Sequence, residues 1–407
     1  MNRDHLPSLL LLPYPPQPAT RAALDAAYCP PLAAALSKSR HATRSTTLIV
    51  AVACPILHQE SLGAKSISWA EAQSLLAGLY GIISVICGRE SIGTDVDGGP
   101  GTVDARVVLI DHQAQRRFVQ DRPAIEANNT VVVDLATFAA AYHPWNFIYH
   151  ASSEEGYDIL ATYLKFAEGA QKLFQSQLVA VQGGVALNIA KSRISNGDSA
   201  APSARPGYTK VCLGGTFDHL HPGHKLLLAA ATILLDVPRK GSPDPCQLVI
   251  GMSGDALLKN KKYAEQMQPW EVRSRAVLRF LWTILELSPS GWKEVRESRI
   301  EERPGDFRAT FRDGTIAVQC VEIQDAFGPT ITMSDLQALA LSAETRAGGP
   351  PINDKRVALG WKPLEIFEVD VLDARETDDE GGGETNFAAK ISSTEIRRQK
   401  AEVARTP

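Results

Sequence analysis

The sequence predicts an α/β fold built from two domains, each with helices packed on a sheet of mainly parallel strands. Apolar runs rich in β-branched residues alternate with helical segments, which is the pattern of a layered α/β domain. The alternation occurs on both sides of residues 191–207, a segment rich in Ser, Ala, Pro and Gly. That composition is typical of a flexible linker. A length of 407 residues suits about two or three domains of ordinary size.

The N-terminal domain, residues 1–190, is predicted from apolar patterning alone. The expected strands are residues 47–53, 82–87, 105–110 and 130–133, and the expected helices are residues 69–79 and 154–174. This half contains no Gly-rich phosphate loop, no metal-ligand spacing and no nucleophile elbow. The sequence therefore predicts an α/β domain here and assigns it no chemistry.

The C-terminal domain, residues 208–407, has the pattern of repeated strand–helix–strand units. The expected elements are a strand at 208–213, a helix at 225–235, a strand at 247–252, a helix at 269–287, apolar segments at 316–323 and 336–341, a helix that ends within 356–360, and a strand at 364–372. The charged segment 288–314 and the acidic segment 373–386 interrupt this pattern. A parallel sheet binds its ligands at the carboxyl ends of its strands.

Composition indicates a globular protein of the cytoplasm with small-molecule partners. The chain is 44% hydrophobic and 22% charged, and its formal net charge of −4 shows no excess of basic residues for nucleic acid. The apolar run at 47–57 is too short to cross a membrane and contains Pro55. Six cysteines are scattered without a Cys-x-x-Cys pair, which favours a reducing compartment and argues against a zinc site or a disulfide framework.

The segment with the clearest chemistry is residues 210–224, which read Lys-Val-Cys-Leu-Gly-Gly-Thr-Phe-Asp-His-Leu-His-Pro-Gly-His. An apolar strand leads into two glycines, and a turn with two closely spaced histidines, His221 and His224, precedes an apolar helix. Glycines let the backbone approach a phosphate chain closely, and a helix N-terminus offers free N–H groups. Imidazoles can donate to phosphate oxygens. The segment therefore predicts a nucleotide triphosphate site.

A second element is residues 390–398, Lys-Ile-Ser-Ser-Thr-Glu-Ile-Arg-Arg. Ser392 and Glu395 have the spacing of a capping box, so a helix should start here. Its N-terminus and three successive hydroxyls can all donate to one anion. Arg397 or Arg398 could contribute as well, although one of them could be a solvated helix-face charge.

Two further blocks lie between these elements. Residues 251–263 follow the second strand and carry Lys259, Lys261 and Lys262, and any of the three could bring a charge to the ligand. Residues 341–349 read Leu-Ser-Ala-Glu-Thr-Arg-Ala-Gly-Gly and follow another apolar segment. Without the other blocks, its arginine could equally be a surface residue at a helix end.

These four blocks, in this order over about residues 208–400, resemble the eukaryotic-type phosphopantetheine adenylyltransferases of the His-x-Gly-His nucleotidyltransferase superfamily. The resemblance implies a Rossmann-like nucleotidyltransferase domain preceded by an additional α/β domain. It also implies transfer of the adenylyl group of ATP to 4′-phosphopantetheine, giving dephospho-coenzyme A and pyrophosphate in coenzyme A biosynthesis. The chain lacks the Gly-x-x-x-x-Gly-Lys-Ser/Thr loop of a fused kinase, so it resembles the monofunctional form.

The resemblance also implies roles for individual residues. The catalytic residues would be His224, His221 and Lys259. ATP would contact Gly215, Thr216, Phe217, His221, His224, Glu344, Arg346, Ser392, Ser393 and Thr394. The acceptor would contact Thr216, Lys259, Lys262 and Arg346, with Lys259 the first choice among the three lysines. Mg²⁺ is expected to arrive with ATP, since the sequence shows no dedicated carboxylate cage.

Other functions are also compatible with the sequence. The chain could be a cytidylyltransferase or a nicotinamide-mononucleotide adenylyltransferase of the same superfamily. Cytidylyltransferases usually show Arg-Thr-Glu-Gly-Ile-Ser-Thr where this chain has Ile-Ser-Ser-Thr-Glu-Ile-Arg, which argues against the first. The chain could also act as a scaffold for other coenzyme A enzymes.

Overall fold

A computed structural model describes most of the chain: residues 6–41, 43–61, 64–96, 98–112, 128–141, 144–185, 207–286, 300–372, 375–377, 384–386 and 392–405. The chain forms two compact units. The first unit contains Met1–Gly93, Gly98–Asn128 and Val132–Pro206, and the second contains Thr94–Asp97, Asn129–Val131 and Gly207–Pro407. The second unit thus includes two short segments that precede it in sequence. The predicted linker lies almost wholly outside the described residues, so its bounds stay a prediction.

The first unit alternates strands and helices. Its elements are β1 Ser8–Leu12, α1 Arg21–Ser39, β2 Thr46–Cys54, β3 Leu57–Ser61, β4 Ala64–Ile67, α2 Trp69–Glu90, β5 Val103–Asp111, β6 Val133–Asp134, α3 Leu135–Ala141, β7 Ile148–Ala151, α4 Glu154–Ala167 and β8 Leu178–Val181. Over the described residues, six of these strands form one parallel sheet in the order β6-β5-β2-β1-β7-β8. Strands β3 and β4 pair separately as an antiparallel hairpin.

The core of the first unit contains two elements that were not predicted correctly from the sequence. Every residue of β1 is buried, so both faces of the sheet are covered, as expected for a parallel sheet. This strand is not among those predicted from the sequence. The strand predicted at residues 82–87 is wrong, because these residues lie inside α2 and the helix buries them all. A continuous apolar run does not separate a buried helix from a buried strand.

The second unit carries the predicted series of strand–helix–strand units. Its elements are β9 Lys210–Gly215, α5 Pro222–Thr232, β10 Cys246–Ser253, α6 Trp270–Leu285, β11 Ile300–Arg303, β12 Asp306–Phe311, β13 Ile316–Ile323, β14 Ala338–Ser342, α7 Gly349–Ala358, β15 Glu365–Val369, β16 Arg375–Thr377, β17 Glu384–Asn386 and α8 Ser393–Arg405. The segment at 288–314, predicted to interrupt the fold, supplies β11 and β12 in its described part. The described residues of 373–386 pair as the hairpin of β16 and β17.

The main sheet of the second unit, as described, has the order β11-β12-β13-β10-β9-β14-β15. Strands β13, β10, β9, β14 and β15 run parallel, and β12 and β11 add an antiparallel edge. The first strand of the unit, β9, lies between the second, β10, and a later one, β14. A crevice is expected where the strand order reverses, outside the carboxyl ends of these strands. The predicted α/β fold with parallel sheets is confirmed.

Among the described residues, one helix, α2, is long and apolar enough to cross a membrane by length and composition. Two thirds of its apolar stretch is buried inside the structure. The core helix of a globular domain passes the same test, so this helix is weak evidence for a membrane span.

Candidate active site

The second unit has a cavity of about 710 Å³ at the carboxyl ends of β9, β10 and β14 and just beyond β15. This is the position at which the strand order reverses, and the volume is that of a small-molecule site. It brings together residues from all four predicted blocks. The predicted ATP contacts that line it are Gly215, Thr216, Phe217, His221, His224, Glu344, Ser392, Ser393 and Thr394.

The turn after β9 is held in a strained conformation. Phe217 and His219 have φ angles of 52° and 45°, in the left-handed region that non-glycine residues rarely adopt. Each such residue costs about 1–3 kcal/mol, so this conformation persists only where the surrounding structure holds it. The Phe217 ring is fully buried and packs so closely on Gly215 that a Cβ there would lie 2.9 Å from Cε2 of the ring. Glycine at 215 is therefore required by packing as well as by access to the ligand.

His221 and His224 stack on each other at the start of α5, with ring centroids 3.9 Å apart. His221 caps the helix, because its Nδ1 accepts the N–H of Gly223 at 3.2 Å. A neutral His221 must then carry its proton on Nε2, where it can donate to a ligand.

Both imidazoles are neutral at physiological pH. Burial lowers the pKa of His221 to about 3, and the charge of Lys225 lowers it further. Burial, and then the neighbouring His221, hold the pKa of His224 well below its usual value. Within the described residues, the Nδ1 of His224 is buried and has no hydrogen-bond partner. The pair therefore presents hydrogen-bond donors without a permanent charge.

Helix α8 places a second N-terminus at the same cavity. The hydroxyl of Ser392 caps the helix by accepting the N–H of Glu395 at 3.4 Å, as the capping-box spacing predicts. The hydroxyl of Ser393 donates to the carbonyl of Asp218 in the histidine turn at 2.8 Å. Two helix N-termini, those of α5 and α8, thus meet one cavity, and both favour an anion there.

A buried ion pair joins the histidine turn to helix α8. Arg397 on α8 donates to the carboxylate of Asp218 at 2.5 Å, and both side chains are buried. Arg397 also donates to the carbonyl of Lys262 at 3.0 Å. Arg398 is the solvated helix-face charge, since it pairs with Glu395 and Glu402 on its own helix. The structure thus separates two arginines that the sequence left open.

Arg273 on α6 is a structural residue of the site that was not predicted from the sequence. Its fully buried guanidinium donates to the carbonyl of Thr216 at 2.6 Å and to that of Ser253 at 2.8 Å. It also binds the carboxylate of Asp255 at 2.7 Å. One side chain therefore fixes the ends of β9 and β10 relative to each other. No local pattern distinguishes this arginine from others on the same helix.

The remaining predicted contacts are more dispersed. Lys261 lines the cavity, whereas Lys259 and Lys262 do not, and all three are exposed. Arg346 is also exposed, and its guanidinium lies 3.4 Å from the carboxylate of Glu368. The roles given to Lys259, Lys262 and Arg346 stay predictions.

The strand order β13-β10-β9-β14-β15, with a His-x-Gly-His turn after its first strand, defines a Rossmann-like nucleotidyltransferase fold. Comparison with known proteins gives the family. The chain is 31% identical over 193 residues to the phosphopantetheine adenylyltransferase of Thermococcus gammatolerans, which is 47% of this chain and 90% of that protein. It is 33% identical over 188 residues to the phosphopantetheine adenylyltransferase of Saccharomyces cerevisiae. The chain belongs to the phosphopantetheine adenylyltransferase family.

The resemblance to known proteins is partial along the chain. The match covers 46% of this chain and 47% of the Saccharomyces cerevisiae protein, so it spans about half the length of that relative. A family described as "Domain of unknown function (DUF8446)" matches residues 1–187. A solved structure titled as a protein with unknown function from Archaeoglobus fulgidus is 26% identical, with a TM-score of 0.27, and covers 40% of this chain and 89% of its own.

Proposed function

We propose that this protein is a monofunctional phosphopantetheine adenylyltransferase of the eukaryotic type. It transfers the adenylyl group of ATP to 4′-phosphopantetheine and releases pyrophosphate, with dephospho-coenzyme A as the product, in coenzyme A biosynthesis. The observation that carries the proposal is the meeting of two helix N-termini and a stacked pair of neutral imidazoles at one cavity. The names of its family relatives support 4′-phosphopantetheine as the acceptor.

The proposed reaction needs no side-chain nucleophile. An oxygen of the acceptor phosphate attacks the α-phosphorus of ATP, and the bond from that phosphorus to the oxygen bridging to the β-phosphorus breaks. Because the acceptor is already an anion, no general base is needed either. Catalysis then consists of positioning the two anions and stabilising the charge that develops between them.

Different residues of the site bind the α-phosphate, the β- and γ-phosphates and the acceptor phosphate. His221 and His224 donate to the oxygens around the α-phosphorus, with the Thr216 hydroxyl beside them. Ser392, Ser393 and Thr394, at the N-terminus of α8, bind the β- and γ-phosphates. A lysine of the loop after β10 neutralises the acceptor phosphate. Lys261 is best placed for this among the described residues, since it lines the cavity.

Mg²⁺ is proposed to enter with ATP. Among the residues that the structure describes, no group of three acidic, histidine or cysteine side chains is placed to hold a metal ion. The phosphates of ATP would therefore supply most of its ligands, as is usual for this cation. We place the enzyme in the cytoplasm, with ATP and 4′-phosphopantetheine as its partners.

Pyrophosphate release by the purified full-length protein tests the proposal. ATP with 4′-phosphopantetheine should be turned over much faster than ATP with nicotinamide mononucleotide or CTP with phosphocholine. A preference for either of those pairs would replace the proposed acceptor. If no pair releases pyrophosphate, the chain is not an enzyme of this class, and the scaffold alternative is favoured.

A further inference from the structure

The segment Thr94–Asp97 belongs to the second unit, although it lies more than a hundred positions before β9 in sequence. Its described residues contact three separate parts of the site. The carbonyl of Thr94 accepts from the ammonium of Lys225, the residue after His224 on α5, at 3.3 Å. The carboxylate of Asp95 contacts His219 in the histidine turn and Lys400 on α8.

Asp95 is a buried carboxylate between an imidazole and an ammonium group. Its Oδ2 lies 3.0 Å from Nδ1 of His219 and 3.1 Å from the ammonium of Lys400. Burial alone would raise the pKa of Asp95, but the hydrogen bond and charge of His219, together with Lys400, lower it. The carboxylate is therefore ionised, and it bridges the two elements that carry the proposed phosphate donors.

His219 is one of the two strained residues of the turn, and its side chain is held at both nitrogens. Its Nε2 lies 3.0 Å from the carbonyl of Gln266, an acceptor, while its backbone N–H donates to the side chain of Gln268 at 2.8 Å. Its Nδ1 faces Asp95, with the Lys400 ammonium only 3.2 Å away. Without the carboxylate, a lysine ammonium and an imidazole would meet with no counter-charge between them.

We propose, on the basis of the function proposed above, that Asp95 is a positioning residue for adenylyl transfer. Its carboxylate holds the histidine turn and helix α8 in the relative position in which both bind the triphosphate. The residue touches no substrate in this role. The sites that it positions are His221 and His224 on one side and Ser392 to Thr394 on the other.

The test compares Asp95→Asn with the wild-type full-length protein. Asn keeps the size of the side chain and removes its charge. We expect kcat to fall by about 10–100-fold, the size of effect found when a metal ligand loses its outer hydrogen-bond partner. The KM for ATP should rise, and the KM for 4′-phosphopantetheine should stay near that of the wild type. Asp95→Glu, which retains the charge, should recover part of kcat.

Two controls separate positioning from a loss of folded protein. Asp354 on α7 is an exposed carboxylate. Asp354→Asn should leave kcat, the KM for ATP and the KM for 4′-phosphopantetheine unchanged. Lys400→Met should lower kcat less than Asp95→Asn does. The double variant should lose no more than Asp95→Asn alone, because Lys400 acts through Asp95. If kcat falls only with the folded fraction measured by circular dichroism, and both KM values are unchanged, Asp95 has no positioning role.

The outcome is distinguishable from a failure of the proposed function. If the wild-type protein releases no pyrophosphate, calorimetric titration of the same variants with ATP gives the comparison. Weaker ATP binding by Asp95→Asn, by about 10–100-fold, would support the positioning role for triphosphate binding. Equal affinities for the variant and the wild type would overturn it.

Discussion

The two units of this chain share one arrangement of parallel strands and differ in the residues of the turn after the first strand. In the first unit the common order is β5-β2-β1-β7-β8, and in the second it is β13-β10-β9-β14-β15. If the strands of each common order are numbered one to five along the chain, both sheets have the order 3-2-1-4-5. This numbering leaves out the β3–β4 hairpin, the edge strand β6 and the antiparallel edge strands β11 and β12. Each unit thus reverses its strand order beside its first strand. Within the described residues, the proposed phosphate-binding residues lie at that position in the second unit.

The turn after the first strand shows the difference most clearly. In the second unit it carries Gly215 and Thr216 and ends at His221, the cap of α5. In the first unit the corresponding residues, 13–20, contain four prolines and end at Thr20, the cap of α1. Proline has no N–H to offer an anion. The carbonyl of Pro13 is also occupied, since it accepts the hydroxyl of Tyr28 at 2.8 Å.

A second difference lies at the helix N-termini. Helix α8 begins with hydroxyl residues at the cavity and has one acidic residue, Glu395, in its first turn, whereas α4 of the first unit has two there, Glu154 and Glu155. These carboxylates satisfy the positive end of the helix and repel a further anion. The comparison shows that the strand order provides a location for a ligand, while a few residues in one turn provide the chemistry.

The largest expected effect is on the buried ion pair of the second unit. Arg397→Met leaves the carboxylate of Asp218 buried without its partner, so the free energy of unfolding of this unit should fall by about 3–5 kcal/mol. Urea denaturation followed by circular dichroism measures it. Arg398→Met is the matched control one position away, because Arg398 pairs only with its own helix in the part of the chain that the structure describes, and it should change stability little. Equal effects of the two substitutions would show that the Asp218 pair does not hold the site together.

The two units also supply a matched pair of histidines. His224→Ala should lower kcat by about 10²–10³-fold, the effect of removing one donor to a developing charge. His150 in the first unit is likewise buried, and burial lowers its pKa. His150→Ala should cost stability and leave kcat unchanged. Steady-state rates of pyrophosphate release by the two variants measure this difference. Normal turnover by a folded His224→Ala variant would show that His224 has no role in the mechanism.

Local sequence patterns predicted the fold class and the histidine turn, because both depend on residues close together in the chain. They failed where contacts join distant positions. Asp95 and His219 are 124 positions apart, and nothing near Asp95 marks it as part of a site. They also failed at residues 82–87, where the fully buried stretch of helix α2 has no polar face to reveal its period. Lys261 could not be separated from its neighbours, since only the path of the loop decides which lysine reaches the cavity.

The lysine loop gives the third prediction. Lys261→Met should raise the KM for 4′-phosphopantetheine by about 10-fold, as expected for the loss of one charged contact to a phosphate. Lys259→Met removes a charge of the same kind from the same loop and is the control, since Lys259 does not line the cavity as described. Initial rates at varied acceptor concentration distinguish the two variants. A larger effect at Lys259 would support the choice made from the sequence.

The smallest expected effect concerns the first unit. It tests whether the turn after β1, where the strand order of this unit reverses, takes part in the reaction. Tyr28→Phe removes the hydrogen bond to the carbonyl of Pro13 in the turn after β1. That carbonyl loses its partner, so the first unit should lose about 1 kcal/mol of stability. Hydrogen exchange of the β1 amides measures that loss. Because this turn is poor in donors for a phosphate, kcat and both KM values should equal those of the wild type. A change in the KM for either substrate would show that the first unit contributes to substrate binding. The two turns would then differ in which ligand they bind, and both would take part in the reaction.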